Sequence, residues 1–292
     1  MTDSNPPRVL QDPRLSRLAA FTTTPGGGNP AGVWIDEALP SPAAMQSIAA
    51  EVGYSETVFI APSKGPRRQA RYYSPLAEVP FCGHATIAAG VLLGQQGECG
   101  RLWLDTRVGE IALDIARAPD GDGSAPVASL ISVATAQRPL PPGLLDEVFA
   151  LLGWQHDELD PELPATVAYA GAFHLVLAVR ERARLAALSY PFEALKALML
   201  KHALTTLQLV WREHATCFHA RNPFPVGGIV EDPATGASAA ALAGWLRDAG
   251  LLAAPFTLQI HQGHDMGRPS LIEVEAPAAG GIVVRGRAVA MD

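Results

Sequence analysis

Two short segments of this chain place side chains that handle protons at glycine-containing turns. The first reads Pro80-Phe81-Cys82-Gly83-His84-Ala85-Thr86; the second reads Glu231-Asp232-Pro233-Ala234-Thr235-Gly236-Ala237-Ser238. Each turn runs directly into small, helix-forming residues. A helix start leaves backbone N–H groups without intrahelical partners and carries partial positive charge. Two such starts facing one another would cradle an anionic small molecule, with His84 and Asp232 beside it to exchange protons. Glu56, within Tyr54-Ser55-Glu56-Thr57-Val58-Phe59-Ile60, is a third candidate. Strand alternation would set Tyr54, Val58 and Ile60 on its face. Apolar neighbours favour the protonated acid, and a carboxyl so placed can return a proton as well as take one. Each residue also has a bland reading. Glu56 could be an edge-strand acid in water, His84 a structural histidine, Asp232 a helix cap and Asn29 a turn residue.

Cys82 divides the chemistry. A thiol at a helix start can be a reactive thiolate, and a small buried cysteine is the plainer outcome. A racemase with two opposed thiols would need a second cysteine at the second turn, and Asp232-Pro233-Ala234-Thr235-Gly236 holds none. His214, Cys217, His219, His261 and His264 invite a metal reading, with Cys217 and His219 on one strand face. No spacing among them matches a zinc signature, so no metal is expected. Gly26-Gly27-Gly28 precedes a strand, so the dinucleotide fingerprint fails and no nucleotide cofactor is expected.

The elements that must position these residues alternate in a pattern that repeats once. Strands are expected at Leu18–Phe21, Ala31–Ile35, Ser55–Ile60, Gln69–Tyr73, Leu102–Thr106 and Glu110–Ala116. Helices are expected at Ser41–Val52, capped by Ser41 with Pro42 next, and at His84–Leu93, stopped by Gly94. The second half restarts at Ser129–Val133. It continues with a helix over Gly143–Leu152, strands at Val167–Ala170 and Phe173–Val179, and a helix over Phe192–His202. Strands at Thr206–Trp211 and Thr216–Ala220 precede the second turn. Its helix, Ala237–Ala249, stops at Gly250, and strands at Phe256–Gln262, Ser270–Glu275 and Ile282–Val289 close the chain. The fold class is α+β, two similar halves that each wrap a curved sheet around one helix of small residues. A composition shift at Asp120–Pro126 sets the expected domains at 18–126 and 127–292, after a polar extension over 1–17; the last strand could pair back onto the first domain.

Of 292 residues, 48% are hydrophobic and 17% charged, enough apolar content for a sizeable core. A net charge of −7 without basic runs argues against nucleic acid or an anionic membrane surface as partner. Three cysteines without a CxxC pair make a disulfide framework improbable, and with no apolar leader the expected location is cytoplasmic.

Five motifs in order, Gly28-Asn29-Pro30-Ala31-Gly32-Val33, Ser55-Glu56-Thr57-Val58-Phe59, Pro80-Phe81-Cys82-Gly83-His84-Ala85-Thr86, Glu231-Asp232-Pro233-Ala234-Thr235-Gly236 and Met266-Gly267-Arg268-Pro269-Ser270, resemble the PhzF-like isomerase family of phenazine biosynthesis, within the diaminopimelate-epimerase-like superfold. The resemblance spans Phe21 to the C-terminus. It implies two domains with the site in the cleft between them, no cofactor, and a homodimer. It makes Glu56 the catalytic acid and base, with His84 and Asp232 as partners and ligand contacts from Asn29, Gly83, Gly236 and Ala237. The chain departs from the family's frequent Thr-Gly-Ser by reading Thr235-Gly236-Ala237-Ser238. A hydroxyl contact is thereby lost unless Ser238 supplies it. The expected function is a cofactor-independent isomerase acting on a small anionic substrate. The alternatives are an amino-acid racemase or epimerase that uses Cys82 and a non-catalytic small-ligand-binding or scaffold protein.

Overall fold

The computed structural model of the protein describes residues 8–117 and 125–291. The chain divides into two compact units, Met1–Leu130 together with Gly286–Asp292, and Ile131–Arg285. Most of the composition shift at Asp120–Pro126 lies outside the described residues.

In the first unit the strands are β1 (Leu15–Ala20), β2 (Asn29–Ile35), β3 (Glu56–Pro62), β4 (Arg67–Tyr73), β5 (Glu78–Val79), β6 (Gly100–Thr106), β7 (Gly109–Ala116) and β8 (Val127–Ile131). Helix α1 (Pro42–Val52) joins β2 to β3, and α2 (Gly83–Gln95) joins β5 to β6. In the second unit β9 (Ala136–Arg138), β10 (Thr166–Tyr169), β11 (Phe173–Val179), β12 (Thr206–His214), β13 (Cys217–Pro223), β14 (Glu231–Asp232), β15 (Phe256–Gln262), β16 (Ser270–Ala276) and β17 (Val283–Gly286) accompany α3 (Leu144–Leu152), α4 (Arg182–Ala186), α5 (Phe192–Lys201) and α6 (Gly236–Asp248). The final strand, β18 (Ala288–Ala290), pairs antiparallel with β1.

The pairings repeat. β2–β3 and β11–β12 are parallel; β3–β4 and β12–β13 are antiparallel. In each unit a two-residue strand follows, β5 on β4 and β14 on β13, and leads into a thirteen-residue helix. After that helix the chain returns parallel to the same strand, β6 beside β4 and β15 beside β13. The expected pair of similar α+β halves is the architecture observed.

The two central helices explain their own composition. From His84 to Val91 every residue of α2 is buried, and strands β1, β2, β3, β7 and β18 pack around it. A Cβ added at Gly90 would come within 2.7 Å of Ala128, and one at Gly94 within 2.6 Å of Pro126. Gly94, expected from sequence to stop the helix, therefore does not. It sits inside it, because the sheet approaches too closely for a side chain. In the second unit α6 is buried from Ser238 to Leu246 among β9, β10, β11, β12 and β16. Helix α1 is a different kind. Ser41 Oγ accepts from Ala44 N at 3.3 Å, Pro42 opens the helix, and Gly53 ends it at φ +71°. Its buried stripe of Met45, Ile48, Ala49 and Val52 packs with Trp34, Phe59 and Tyr73. Helices α3 and α5 cover the second unit in the same way.

The span Ile282–Val289, expected as one strand, is two. Phe21 N donates to Arg287 O at 2.7 Å, and the Phe21 ring lies so close to Gly286 that a Cβ there would meet it at 2.5 Å. The chain turns at that contact, leaving β17 on β16 and β18 on β1. Among the described residues, no helix is long and apolar enough to cross a membrane.

The registers equate positions across the repeat. Ala31 faces Glu56 in the first unit, and His174 faces Thr206 at the corresponding place in the second. His174 is fully buried, its Nδ1 lies 2.8 Å from Thr206 Oγ1, and Nε2 has no hydrogen-bond partner among the described residues. Burial pushes this imidazole down from 6.5 to about 3. The unfolded chain therefore binds a proton below 6.5 that the native chain refuses. Stability from this neutral histidine is complete above pH 6.5 and drains as pH falls toward 3, by up to about 1.4 kcal/mol per pH unit. His174→Gln is expected to flatten the acid limb of a urea-midpoint titration over that window. An unchanged slope would show that another group governs it.

Candidate active site

Strand β3 is not an edge strand; β2 lies parallel on one side and β4 antiparallel on the other. Glu56 is its first residue, with a side chain 20% exposed, and Val58 and Ile60 beyond it on the same face are fully buried. Tyr54 does not join that face. It precedes the strand and packs instead against the Trp34, Phe59 and Tyr73 cluster under α1. The carboxyl is thus half-sheltered at the start of the strand, on the face that holds α2.

Helix α2 brings His84 to it. The His84 Nε2 lies 3.5 Å from Glu56 Oε2 and 3.5 Å from Ser55 Oγ, while Nδ1 lies 3.2 Å from Cys82 Sγ. With the proton on Nε2, the imidazole N–H faces the carboxylate and the serine, and Nδ1 receives the thiol S–H. Cys82 is buried and forms the N-cap position of α2 without a side-chain capping bond. Among the described residues, an added Cβ at Gly83 would meet no atom within 4 Å beyond its chain neighbours and its own helix backbone. Packing therefore does not demand this glycine, and its bareness leaves the amides of the helix start approachable. The first turn is anchored from behind: Thr86 Oγ1 donates to Cys82 O at 2.7 Å and lies 2.7 Å from the buried Tyr72 hydroxyl. Burial holds the Tyr72 phenol far above its usual range, so it stays protonated.

Asn29 opens β2 instead of sitting in the turn. It is buried, and lies two residues before Ala31, the register partner of Glu56, so it projects to the face that carries the acid. Gly28 just before it takes φ +66°, and a Cβ there would strike Ala20 O at 2.4 Å. Only glycine fits that turn.

The second unit builds its turn from different parts. Asp232 is buried, and its Oδ2 accepts from Thr235 Oγ1 at 2.5 Å. Gln262, fully buried on β15, donates to Asp232 O at 2.7 Å and to Thr235 Oγ1 at 3.0 Å, and accepts from Thr235 N at 3.2 Å. Thr235 is the N-cap of α6, with Gly236 and Ala237 as its first helical residues. Ser238 does not offer a free hydroxyl. It is fully buried, receives Asn222 Nδ2 at 2.5 Å and donates to Thr235 O at 3.3 Å.

The structure thus brings Glu56, His84 and Gly83 together in the first unit, with Asn29 on the same sheet face. Asp232, Gly236 and Ala237 form one turn in the second. Sequence reasoning missed Ser55 beside His84, Tyr72 behind the helix start, and Gln262 under the second turn. For Gln262 the available signal was a polar residue at the inward position of an otherwise apolar strand alternation. Two sets of described residues, Glu56 with Cys82 and His84, and Glu213 with Cys217 and His219, hold three ligand atoms within 4.8 Å of one another.

Residues 18–292 match the family model described as phenazine biosynthesis-like protein, PhzC–PhzF. An uncharacterised isomerase of Deinococcus radiodurans is 32% identical over 272 residues, 91% of this chain and 88% of the relative. A trans-2,3-dihydro-3-hydroxyanthranilate isomerase of Pseudomonas fluorescens is 31% identical over 266 residues, 89% of this chain and 88% of the relative. Among solved structures, a phenazine biosynthesis protein of the PhzF family from Bacillus anthracis superposes with a TM-score of 0.84 at 22% identity, covering 95% of this chain and 96% of its own.

Proposed function

This chain belongs to the phenazine biosynthesis-like protein family and is an isomerase, and from that premise we propose that it moves a proton within a small carboxylate-bearing substrate, without a cofactor, using Glu56 as both base and acid. The observation that carries this reading is the half-sheltered Glu56 carboxyl, 3.5 Å from His84 at the start of α2. Glu56 takes a proton from an activated carbon. The electron pair moves through the conjugated system toward the substrate's acidic end. Amides at Gly83 and His84 are suited to steady the enolate-like charge that develops, and the same carboxyl, its proton exchanged with solvent, delivers a proton to another carbon. His84 orients the carboxylate through Nε2. Asn29, Asp232, Gly236 and Ala237 are assigned to holding the substrate on their chemistry alone.

The repeat supports a single acid/base group. Where the first unit has Glu56, the second has Thr206, bonded to the buried neutral His174. A single group that takes a proton from one carbon, exchanges it with solvent and delivers one to another carbon fits an isomerisation better than an inversion, which needs bases on opposite faces.

The contact between Cys82 Sγ and His84 Nδ1 at 3.2 Å favours one other reading, a thiol-based racemase. Its weakness is the helix cap in the second unit, which is Thr235 and not a cysteine. The deciding experiment supplies trans-2,3-dihydro-3-hydroxyanthranilate, the compound named for the Pseudomonas relatives, alongside other small conjugated carboxylates in D2O. Product carrying solvent deuterium at the carbon that receives the proton is expected. Turnover that stops on alkylation of Cys82 but persists in Glu56→Gln would overturn the Glu56 mechanism.

A further inference from the structure

The second unit holds a cluster that the proposed reaction does not use. Strand pairing puts Trp211 opposite His219, and His219 opposite His261, in one row across β12, β13 and β15. The neighbours of His219 along β13, Phe218 and Ala220, point into the core, so His219 lies on the outer face with Cys217. At the end of β12 the register shifts between Arg212 and His214, and Glu213 turns toward the same spot. Its Oε2 stands 2.9 Å from His219 Nε2 and 3.5 Å from Cys217 Sγ. The His219 ring is held by Trp211 on one side, centroids 5.2 Å apart, and by His261 on the other at 5.1 Å, with His264 edge-on at 6.2 Å. His219 Nδ1 is buried without a hydrogen-bond partner among the described residues. The one nitrogen with an outlet is Nε2, aimed at the carboxylate and the sulfur.

We propose that Glu213, Cys217 and His219 form a binding site for a borderline-soft divalent cation of the zinc type, with His261 and His264 flanking it. Carboxylate, thiolate and imidazole are all zinc ligands, with bonds of about 2.0 to 2.3 Å, and the edges of such a tetrahedron measure about 3.3 to 3.8 Å. The observed separations are 2.9 and 3.5 Å, and all three ligand atoms fall within 4.8 Å of one another. Movements of a few tenths of an ångström bring the two pairs that include Glu213 to such edges, and the Cys217–His219 pair, within 4.8 Å, closes by at most about 1 Å. Glu213 is half exposed while Cys217 is buried, so the site opens to solvent on its carboxylate side, leaving a coordination position for water or a neighbouring imidazole. His261 and His264, ring centroids 5.5 Å apart beside the site, offer two further imidazoles. Binding exchanges the S–H proton for the cation, releases one proton to solvent, and strengthens as pH rises. Spacing in the sequence pointed away from a metal because the ligands come from two strands joined by a hairpin, beside a third strand that arrives in parallel from elsewhere.

Titration of the full chain with Co²⁺ tests the assignment. The expected result is one ion per chain, visible d–d absorption of a tetrahedral centre, a sulfur-to-cobalt charge-transfer band, and displacement of both by Zn²⁺. Cys217→Ser should abolish the charge-transfer band, and His219→Ala should weaken binding at least about tenfold, the low end for loss of even an outer partner. Cys82→Ser is the internal control and should leave the spectrum intact, since Glu56, Cys82 and His84 form the other three-ligand set. Far-UV circular dichroism and melting confirm that each variant is folded. Absence of the bands at saturating Co²⁺, their survival in Cys217→Ser, or their loss in Cys82→Ser would each overturn the assignment. None of these readouts depends on turnover, so they stand apart from the fate of the Glu56 mechanism.

Discussion

Glu56→Gln is expected to lower kcat by about 10²- to 10⁴-fold, a loss of roughly 3 to 5 kcal/mol of transition-state stabilisation, with little change in KM. The amide keeps the size of the carboxyl and can still face His84 Nε2 across the 3.5 Å gap, so the fold and substrate grip should survive. What it cannot do is take a proton. Deuterium incorporation from D2O should fall in parallel with turnover, because both need the same proton transfer. Glu56→Asp should lie between, since it keeps the base but draws it back by one methylene from the reacting carbon. Cys82→Ser serves as the opposing case. Its Sγ contacts His84 Nδ1, so a modest loss of about tenfold or less is expected from a less well-held imidazole. Steady-state kinetics on the two variants separate the mechanisms. Glu56→Gln within about twofold of the parent, or Cys82→Ser falling as far as Glu56→Gln was expected to fall, would sink the carboxylate as the acid and base.

Much of this arrangement is legible in the sequence for a local reason. Helix starts advertise themselves: Ser41-Pro42 by capping chemistry, Gly83 and Gly236 by a glycine turn followed by small residues. Phe173–Val179 and Phe256–Gln262 fall where apolar periodicity puts them, and the order of elements exposes the repeat. The failures are those of tertiary context. Gly94 reads as a stop and is a close-packing point, because nothing local reveals Pro126 and Ile115 pressing on it. Tyr54 alternates correctly with Glu56 yet lies outside the strand, where a hydrophobic cluster on the other face claims it. The two-residue strands β5 and β14 are too short to carry any period, although they set the entry to both central helices. Ser238 stands where a substrate-facing hydroxyl was conceivable, and only Asn222 on β13 shows that it is spent inward. Convergence of Glu213, Cys217, His219 and His261 depends on a bulge and a parallel pairing, and neither leaves a spacing rule.

The turn that presents Asp232 depends on a buried ion pair, and Arg221→Met is expected to destabilise the protein by about 3 to 5 kcal/mol. Arg221 on β13 and Glu231 on β14 have side chains only 11% and 4% exposed. The guanidinium donates from Nε to Oε1 at 3.0 Å and from Nη2 to Oε2 at 2.6 Å, a bidentate grip, and Nη1 reaches Ala186 O at 2.9 Å on α4. Removing the cation strands a carboxylate where water cannot reach it, and that uncompensated charge is the main cost. The strand pairing of Asn222 with Asp232 and Pro223 with Glu231 couples this cost to function. A Glu231 driven outward to find solvent would pull β14 with it and misplace the neighbouring Asp232. Urea denaturation should therefore show the full loss for Arg221→Met, while the double change Arg221→Met, Glu231→Leu recovers most of it. The recovery distinguishes a charge left unpaired from simple loss of packing, because the double variant removes more polar contacts than the single one. A single-variant loss below about 1 kcal/mol, or a double variant no more stable than Arg221→Met alone, would show that β14 is held by its backbone ladder and not by the pair.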